Sequence, residues 1–132
     1  MANLTQLLSQ RSVTGMQVTA GAAEETLLLT VDGAAPAAAI AIPEGTQFVL
    51  TDWMLCAPTP TVRGRLQQSN DNGANWFDLA VAILPGGLTR RVGFKNPIKI
   101  VGAVNRLFRE VIQTPGGGGQ LVTSTLRISN EP

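Results

Sequence analysis

The residues best able to do acid–base chemistry in this chain are two carboxylates, Asp71 and Asp78, on either side of a polar turn. The chain contains no His, which removes the commonest general base and the Ser–His and Cys–His nucleophile pairs. No Ser stands three residues before Lys95 or Lys99, so a Ser-x-x-Lys arrangement is absent as well. We interpret Asp71 and Asp78 as turn and surface groups. We therefore predict that the chain is not an enzyme and has no catalytic residues.

The sequence does not indicate a metal or cofactor site either. Cys56 is the single cysteine, and without His it cannot complete a zinc site. Residues 68–73 resemble a calcium-binding loop, but Gln68 takes the first position and Leu79 stands where a bidentate Glu is needed. The glycine run 116–119 has no Lys after it, so it does not match a phosphate-binding loop. We predict no metal and no cofactor.

Charge and composition limit the classes of partner that the chain could bind. The 132 residues carry a net charge of +1, which gives no general attraction to nucleic acid. No apolar run approaches the length of a membrane span, and no secretory signal is visible, so we expect neither membrane insertion nor export. Charged residues make up 14% of the chain, against about 25% in typical domains. Two interpretations stay open: surface hidden in contacts with other chains, or a soluble β-sandwich of low charge.

The clearest structural pattern lies in residues 61–83, where two alternating apolar and polar runs flank a polar segment. Asn72 and Gly73 in that segment suit a turn that needs positive φ. A period of two on both sides of such a turn predicts a β-hairpin that anchors a sheet. The residues expected to share a face are Val62, Gly64 and Leu66 in the first run, and Phe77, Leu79, Val81 and Ile83 in the second.

Other short apolar runs, bounded by Gly and Pro, predict further strands. They cover residues 16–19, 24–31, 47–57, 88–92, 98–101, 106–114 and 121–128. About eight to ten short strands at this spacing favour an all-β fold, an antiparallel β-sandwich with jelly-roll-like connections. We predict one domain at 16–132, preceded by a short N-terminal arm at 1–15. The arm either reaches a neighbouring copy or is a frayed end.

The hairpin turn resembles an Asp-box, the S-x-D-x-G-x-x-W pattern, through Ser69, Asp71, Gly73 and Trp76. That motif closes hairpins in sialidase-type propellers and in many unrelated β proteins. The resemblance implies a structural role, in which Asp71 ties the turn and Trp76 packs beneath it. A propeller would need the motif in every blade, and here it occurs once, so we exclude a propeller sialidase.

Over its whole length the chain resembles the small, His-free, all-β proteins that decorate or cement tailed-phage capsids. The features that carry the resemblance are the N-terminal arm, the low charge, the single compact domain and the missing catalytic groups. It implies a homotrimer seated on the virion surface, where it binds the major capsid protein and stabilises the shell. The expected contact residues are Leu4, Leu7 and Leu8 in the arm, Arg90 and Arg91, and Gly116 and Gly117 in the glycine run.

The alternative function is a carbohydrate-binding β-sandwich module that serves in phage tail or surface attachment. Such a module presents aromatic faces to sugar rings, and a glycan would then be the partner. Trp53 and Trp76 are the aromatic candidates, and we expect both to pack in the core or at the turn. An exposed aromatic face would favour this alternative over the capsid protein.

Overall fold

The computed structural model describes residues 10–17, 24–31, 35–56, 62–84, 89–113 and 122–129, and the backbone alone for 10–17, 56, 84, 89–95, 122–123 and 127–129. The described residues form ten β-strands and no helix. The strands are β1 Gln10–Gln17, β2 Glu25–Thr26, β3 Leu28–Val31, β4 Ile40–Ala41, β5 Gln47–Cys56, β6 Val62–Ser69, β7 Phe77–Leu84, β8 Thr89–Val101, β9 Leu107–Gln113 and β10 Val122–Ser129. In this part of the chain, no helix is long and apolar enough to cross a membrane.

The strands form two antiparallel sheets. Sheet A has the order β3-β1-β10-β5-β8, and sheet B has the order β2-β9-β6-β7, with β4 also paired to β9. Buried residues of both sheets, such as Leu55 from β5 and Ile112 from β9, belong to one apolar cluster. The prediction of an all-β, antiparallel fold is confirmed, and the two sheets agree with the predicted β-sandwich.

The first strand begins earlier in the chain than predicted. β1 begins at Gln10, inside the range assigned to the arm, so residues 10–15 belong to sheet A. They pair with β10 on one side, and β3 pairs with part of β1 on the other. Both partners are distant in sequence from Gln10, and short-range periodicity in the chain does not reveal such pairings. The shorter strand predicted at 16–19 covers just the end of β1.

The hairpin is confirmed, but the prediction that Phe77, Leu79, Val81 and Ile83 share one face of β7 was wrong, because the pairing with β6 shifts register at a bulge. β6 and β7 pair antiparallel around the predicted turn. Residues opposite one another in an antiparallel pair share a face, and Gly64 and Leu66 of β6 face the core. Their partners Ala82 and Ala80 must therefore point inward too. Val81 and Ile83 are consequently exposed, because alternation places them on the opposite face from Ala80 and Ala82, whereas Leu79 is half-buried against the core.

A close approach between the two sheets depends on Gly64. A methyl group at that position would lie 2.9 Å from Leu55 Cδ1 and 3.0 Å from Trp53 Cζ2, both of which belong to sheet A. Trp53 and Leu55 are themselves fully buried. The missing side chain on β6 therefore gives these two large residues their space in the core.

The core also holds a buried carboxyl group, Glu110 of β9, which is 0% exposed. Ser124 Oγ of β10 donates to Glu110 Oε1 (2.8 Å), and Trp53 Nε1 of β5 donates to Glu110 Oε2 (3.3 Å). The Trp53 N–H also lies 3.2 Å from Ser124 Oγ. Burial raises the pKa of Glu110 to about 7, although the Ser124 and Trp53 hydrogen bonds oppose that shift. The group links sheet B to two strands of sheet A.

Glu110 predicts a pH-dependent stability. Its pKa is higher in the folded protein than its ordinary value of 4.5, so the folded state holds the proton more tightly than the unfolded state. The stability that this gives is fully present below about pH 4.5 and is lost as pH rises to about 7. The total loss is about 3 kcal/mol. Urea unfolding of the wild type and of Glu110→Gln, measured across that pH range, tests this.

Glu110→Gln is the matched variant because an amide has the shape of the neutral acid and does not ionise. The unfolding free energy of the variant should rise relative to wild type by about 3 kcal/mol between pH 4.5 and 7. Taking the difference between the two proteins cancels the contribution of all other titrating groups. A constant difference across this range would contradict the raised pKa of Glu110.

Candidate interaction surfaces

The hairpin turn is held together by the side chains of Ser69 and Asp71. Ser69 Oγ donates to Asp71 Oδ1 (2.8 Å) and accepts from the backbone N–H of Gly73 (2.8 Å). Asp71 Oδ1 accepts from the backbone N–H of Asn75 (2.8 Å), and Asp71 Oδ2 accepts from Asn75 Nδ2 (2.7 Å). These donors from Asn75 and Ser69 lower the pKa of Asp71 to about 2. The carboxylate thus works within the turn and keeps its charge.

Trp76 closes the same turn from the side of β9. Its ring lies near Gly73, where an added methyl group would be 3.6 Å from Trp76 Cζ2 and from Leu107 Cδ1. The guanidinium carbon of Arg109 sits 4.1 Å from the Trp76 ring centre, a cation–π arrangement. Gly73 (φ 94°) and Asn72 (φ 59°) adopt the left-handed conformation that the sequence predicts at this turn.

The two aromatic residues considered for sugar stacking are both engaged. Trp53 is buried between the sheets and bonds to Glu110 and Ser124. Trp76 is half-buried, and Arg109 covers its ring. Trp53 therefore has no open face for a sugar ring, and one face of Trp76 is occupied by Arg109.

A short exposed apolar strip, Val81 and Ile83, lies on the outer face of β7, the edge strand of sheet B. Phe77 pairs with Gln68 beyond a bulge and so lies on the opposite face of the same strand. We call these three residues the β7 edge surface; Phe77, Val81 and Ile83 are 45%, 47% and 53% exposed. β6 pairs with one side of β7, and no other described strand pairs with it. Neither Pro nor Lys lies in the strand, and its protection from association is limited to Asp78 and a bulge in the pairing with β6. An apolar edge of this kind favours contact with another surface.

Beside the β7 edge surface, the outer face of sheet B carries a hydrogen-bonded network centred on Arg65. Arg65 pairs with Glu24, and with Asp78 at 3.4 Å. Gln67 Nε2 donates to Asp78 Oδ1 (2.9 Å), and Arg109 Nε donates to Gln67 Oε1 (2.8 Å). Exposed pairs of this type add little stability. Their effect here is to balance one another's charge next to the apolar strip.

At one end of the fold, three turns meet in what we call the turn cluster: residues 42–46, 70–75 and 102–106. Gly102 N donates to Thr46 O (2.7 Å), and Ala103 N donates to Ile42 O (3.1 Å), so the first and third turns are joined. A methyl group at Gly102 would come within 1.9 Å of Pro43 O. Glycine is therefore required for this contact.

The second turn joins the cluster through the third. Asn72 N donates to Asn105 O (2.9 Å). Arg106 Nε donates to Asn70 Oδ1 (3.0 Å), and Arg106 Nη1 donates to the carbonyl oxygen of Val101. Backbone and side-chain bonds thus hold all three turns against each other. Sequence reasoning missed this cluster because the turns come together from distant parts of the chain.

The contact residues predicted from sequence are placed as follows. Leu4, Leu7, Leu8, Gly116 and Gly117 lie outside the described residues. Arg90 and Arg91 are in β8, at the edge of sheet A, where their backbones pair with Leu55 and Met54. Within the described ranges, no group of three or more Asp, Glu or Cys side chains is arranged to hold a metal ion.

The Asp71 carboxylate predicts how the turn responds to substitution. Asp71→Asn places an amide NH₂ where the carboxylate accepts bonds from Ser69 and Asn75, so the Tm should fall by a few degrees. The ionised Asp71 stabilises the fold above about pH 4, and this stability is lost as pH falls to about 2. The difference in Tm between wild type and Asp71→Asn should therefore become smaller as pH falls from about 4 to about 2.

Glu44→Gln is a charge-matched control, because it removes a carboxylate from an exposed position on the neighbouring turn. Its Tm should stay within a degree or so of wild type. Scanning calorimetry of the three proteins at pH 2, 4 and 7 measures all of these values. Equal Tm values for wild type and Asp71→Asn at pH 7 would show that the carboxylate does not hold the turn.

Comparison with known proteins matches this chain to no family model, no curated protein and no solved structure. What the surfaces can bind must therefore be inferred from their own chemistry. They offer an apolar strand edge beside balanced charges, and a cluster of three tied turns at one end.

Proposed function

We propose that this chain is a structural virion protein, a homotrimer that decorates a phage capsid and stabilises the shell by binding the major capsid protein between capsomers. The proposal includes a jelly-roll topology for the sandwich. The strand order supports it, since β1 lies beside the last strand, β5 beside β8 and β9 beside β6. Jelly rolls of this kind recur in viral capsid proteins and in lectins.

The observation that carries the proposal is the exposure of the β7 edge surface. Phe77, Val81 and Ile83 are large apolar residues that about half face solvent on one edge strand. Natural proteins usually protect such an edge when it stays in water. A protein that works by covering its surface with another chain has a use for exposed apolar residues of this kind, and the low charge content agrees with that role.

A trimer sets a condition on the contact. In a three-fold ring, each interface joins two different surfaces, because a surface that contacts its own copy closes a dimer. Ala37 already pairs with Leu29 along the edge of β3, but the side chain of Leu28 in that strand is 53% exposed and offers the second surface. We propose that the β7 edge surface of one copy covers the exposed face of β3 around Leu28 in the next copy.

The shell would gain stability by mass action. A ligand that binds the assembled lattice and not its separate subunits opposes disassembly in proportion to its concentration and affinity. A trimer presents three copies of each contact to the lattice, so weak individual contacts combine into a tight attachment. This mechanism needs complementary surfaces and no chemical step.

The first test of the proposal is the oligomeric state of Val81→Asp. Size exclusion with light scattering should give a trimer for the wild type and a monomer for the variant. A carboxylate buried in the contact costs about 3 kcal/mol, roughly a hundredfold in the association constant. Leu28→Asp should have the same effect from the other side of the contact. Circular dichroism should stay unchanged for both, since these side chains are exposed.

Val104→Asp is the matched control, because Val104 is also apolar and is 70% exposed, but belongs to the 102–106 turn and to neither β7 nor β3. It should remain a trimer. Cosedimentation with shells of the major capsid protein then tests the partner: wild type and Val104→Asp should bind, and Val81→Asp should bind far less. A monomeric wild type at high concentration, or wild type that stays in the supernatant, would overturn the proposal.

A further inference from the structure

The turn cluster encloses a small open cavity that the proposed shell contact does not use. Its volume is about 280 Å³, near the lower end of the range for small-molecule sites. Residues from all three turns and from the start of β9 line it. The polar ones are Glu44, Asn72, Asn105 and Arg106, and the apolar ones include Pro43, Val104 and Leu107.

Three of the polar side chains have their hydrogen-bonding capacity unused. Glu44, Asn72 and Asn105 are exposed, and no described residue hydrogen-bonds to their side chains. Each amide offers donors and an acceptor, and the carboxylate offers two acceptor oxygens. The fourth group, Arg106, is fixed by its bonds to Asn70 and Val101. Three free polar groups thus surround one cavity, each from a different turn.

The turns fix the backbone positions from which these side chains extend before any ligand arrives. Asn72 and Asn105 adopt positive φ (59° and 65°) and are joined through the backbone at 2.9 Å. Glu44 precedes Gly45, whose φ of 87° fixes the direction of the first turn. A site whose groups are already ordered loses less entropy on binding than a flexible one.

We propose that this cavity binds one neutral sugar ring, such as the terminal residue of a glycan. Sugar hydroxyls both donate and accept, which matches a carboxylate placed beside two amides. The C–H face of a ring can lie against Val104 and Leu107. Glu44 and Arg106 offset each other's charge in the lining, which favours a neutral ligand, and a single carboxylate with two amides is a poor set for a bound cation. The site is separate from the β7 edge surface, so binding there is independent of the trimer contact.

The test is an NMR titration of the full chain with a panel of neutral monosaccharides: glucose, galactose, mannose and N-acetylglucosamine. At least one sugar should shift the backbone amides of residues 41, 42, 44–46, 72 and 103–107, with a Kd on the order of millimolar, as expected for a small ligand with few contacts. Glu44→Ala should weaken that binding about tenfold, because it removes a charge-assisted hydrogen bond. Asn105→Gly should weaken it by about threefold or more, and it keeps the positive φ at no steric cost.

Asn96→Ala is the control, since Asn96 is an exposed amide on β8 outside the cavity, and it should leave the Kd unchanged. Heteronuclear spectra of each variant show whether the fold is kept. Binding of no sugar in the panel, shifts at other residues, or equal weakening by Asn96→Ala would each overturn the proposal. Binding of methylammonium, with no sugar bound, would instead assign Glu44 to a cationic partner and would also overturn it.

Discussion

The hydrogen-bonded group formed by Glu110, Trp53 and Ser124 is the constraint on which the two-sheet arrangement depends. A carboxyl group with no exposure to water is costly unless it keeps its proton or its partners. Its partners come from β5 and β10, so sheet B can sit on sheet A in one position that satisfies them. Apolar packing around Gly64 alone would tolerate small shifts between the sheets. The polar group adds the directional requirement that apolar contacts lack.

The position of the two sheets also determines which side chains of β7 are exposed. The large residues Trp53 and Leu55 fill the space opposite Gly64 of β6, and the β7 residues paired with Gly64 and Leu66 are the small Ala82 and Ala80. Val81 and Ile83, on the other face of β7, are therefore at the surface. An apolar edge and a tightly filled core are two results of the same register, since a strand cannot bury both of its faces at the edge of a two-layer fold.

The sequence predicted well the features that depend on neighbouring residues. The hairpin, its turn at Asn72 and Gly73, and the antiparallel class all follow from local alternation and turn chemistry. It did not predict β1, the orientation of β7 or the role of Glu110. Each of these depends on contacts between distant residues; Trp53 and Ser124, for example, are 71 positions apart. The turn cluster was missed for the same reason, although each turn taken alone carried a Gly or Asn signal.

The two tryptophans lie in different environments, so their fluorescence reports on two parts of the fold. The chain has no tyrosine, so its near-ultraviolet emission comes from these two indoles. Trp53 lies in a dry interior against a carboxyl group, whereas Trp76 lies half-buried at the hairpin under a guanidinium. Indole emission shifts to longer wavelength as water reaches the ring. Separation of the sheets would therefore shift the emission of Trp53, and loosening of the hairpin would shift the emission of Trp76.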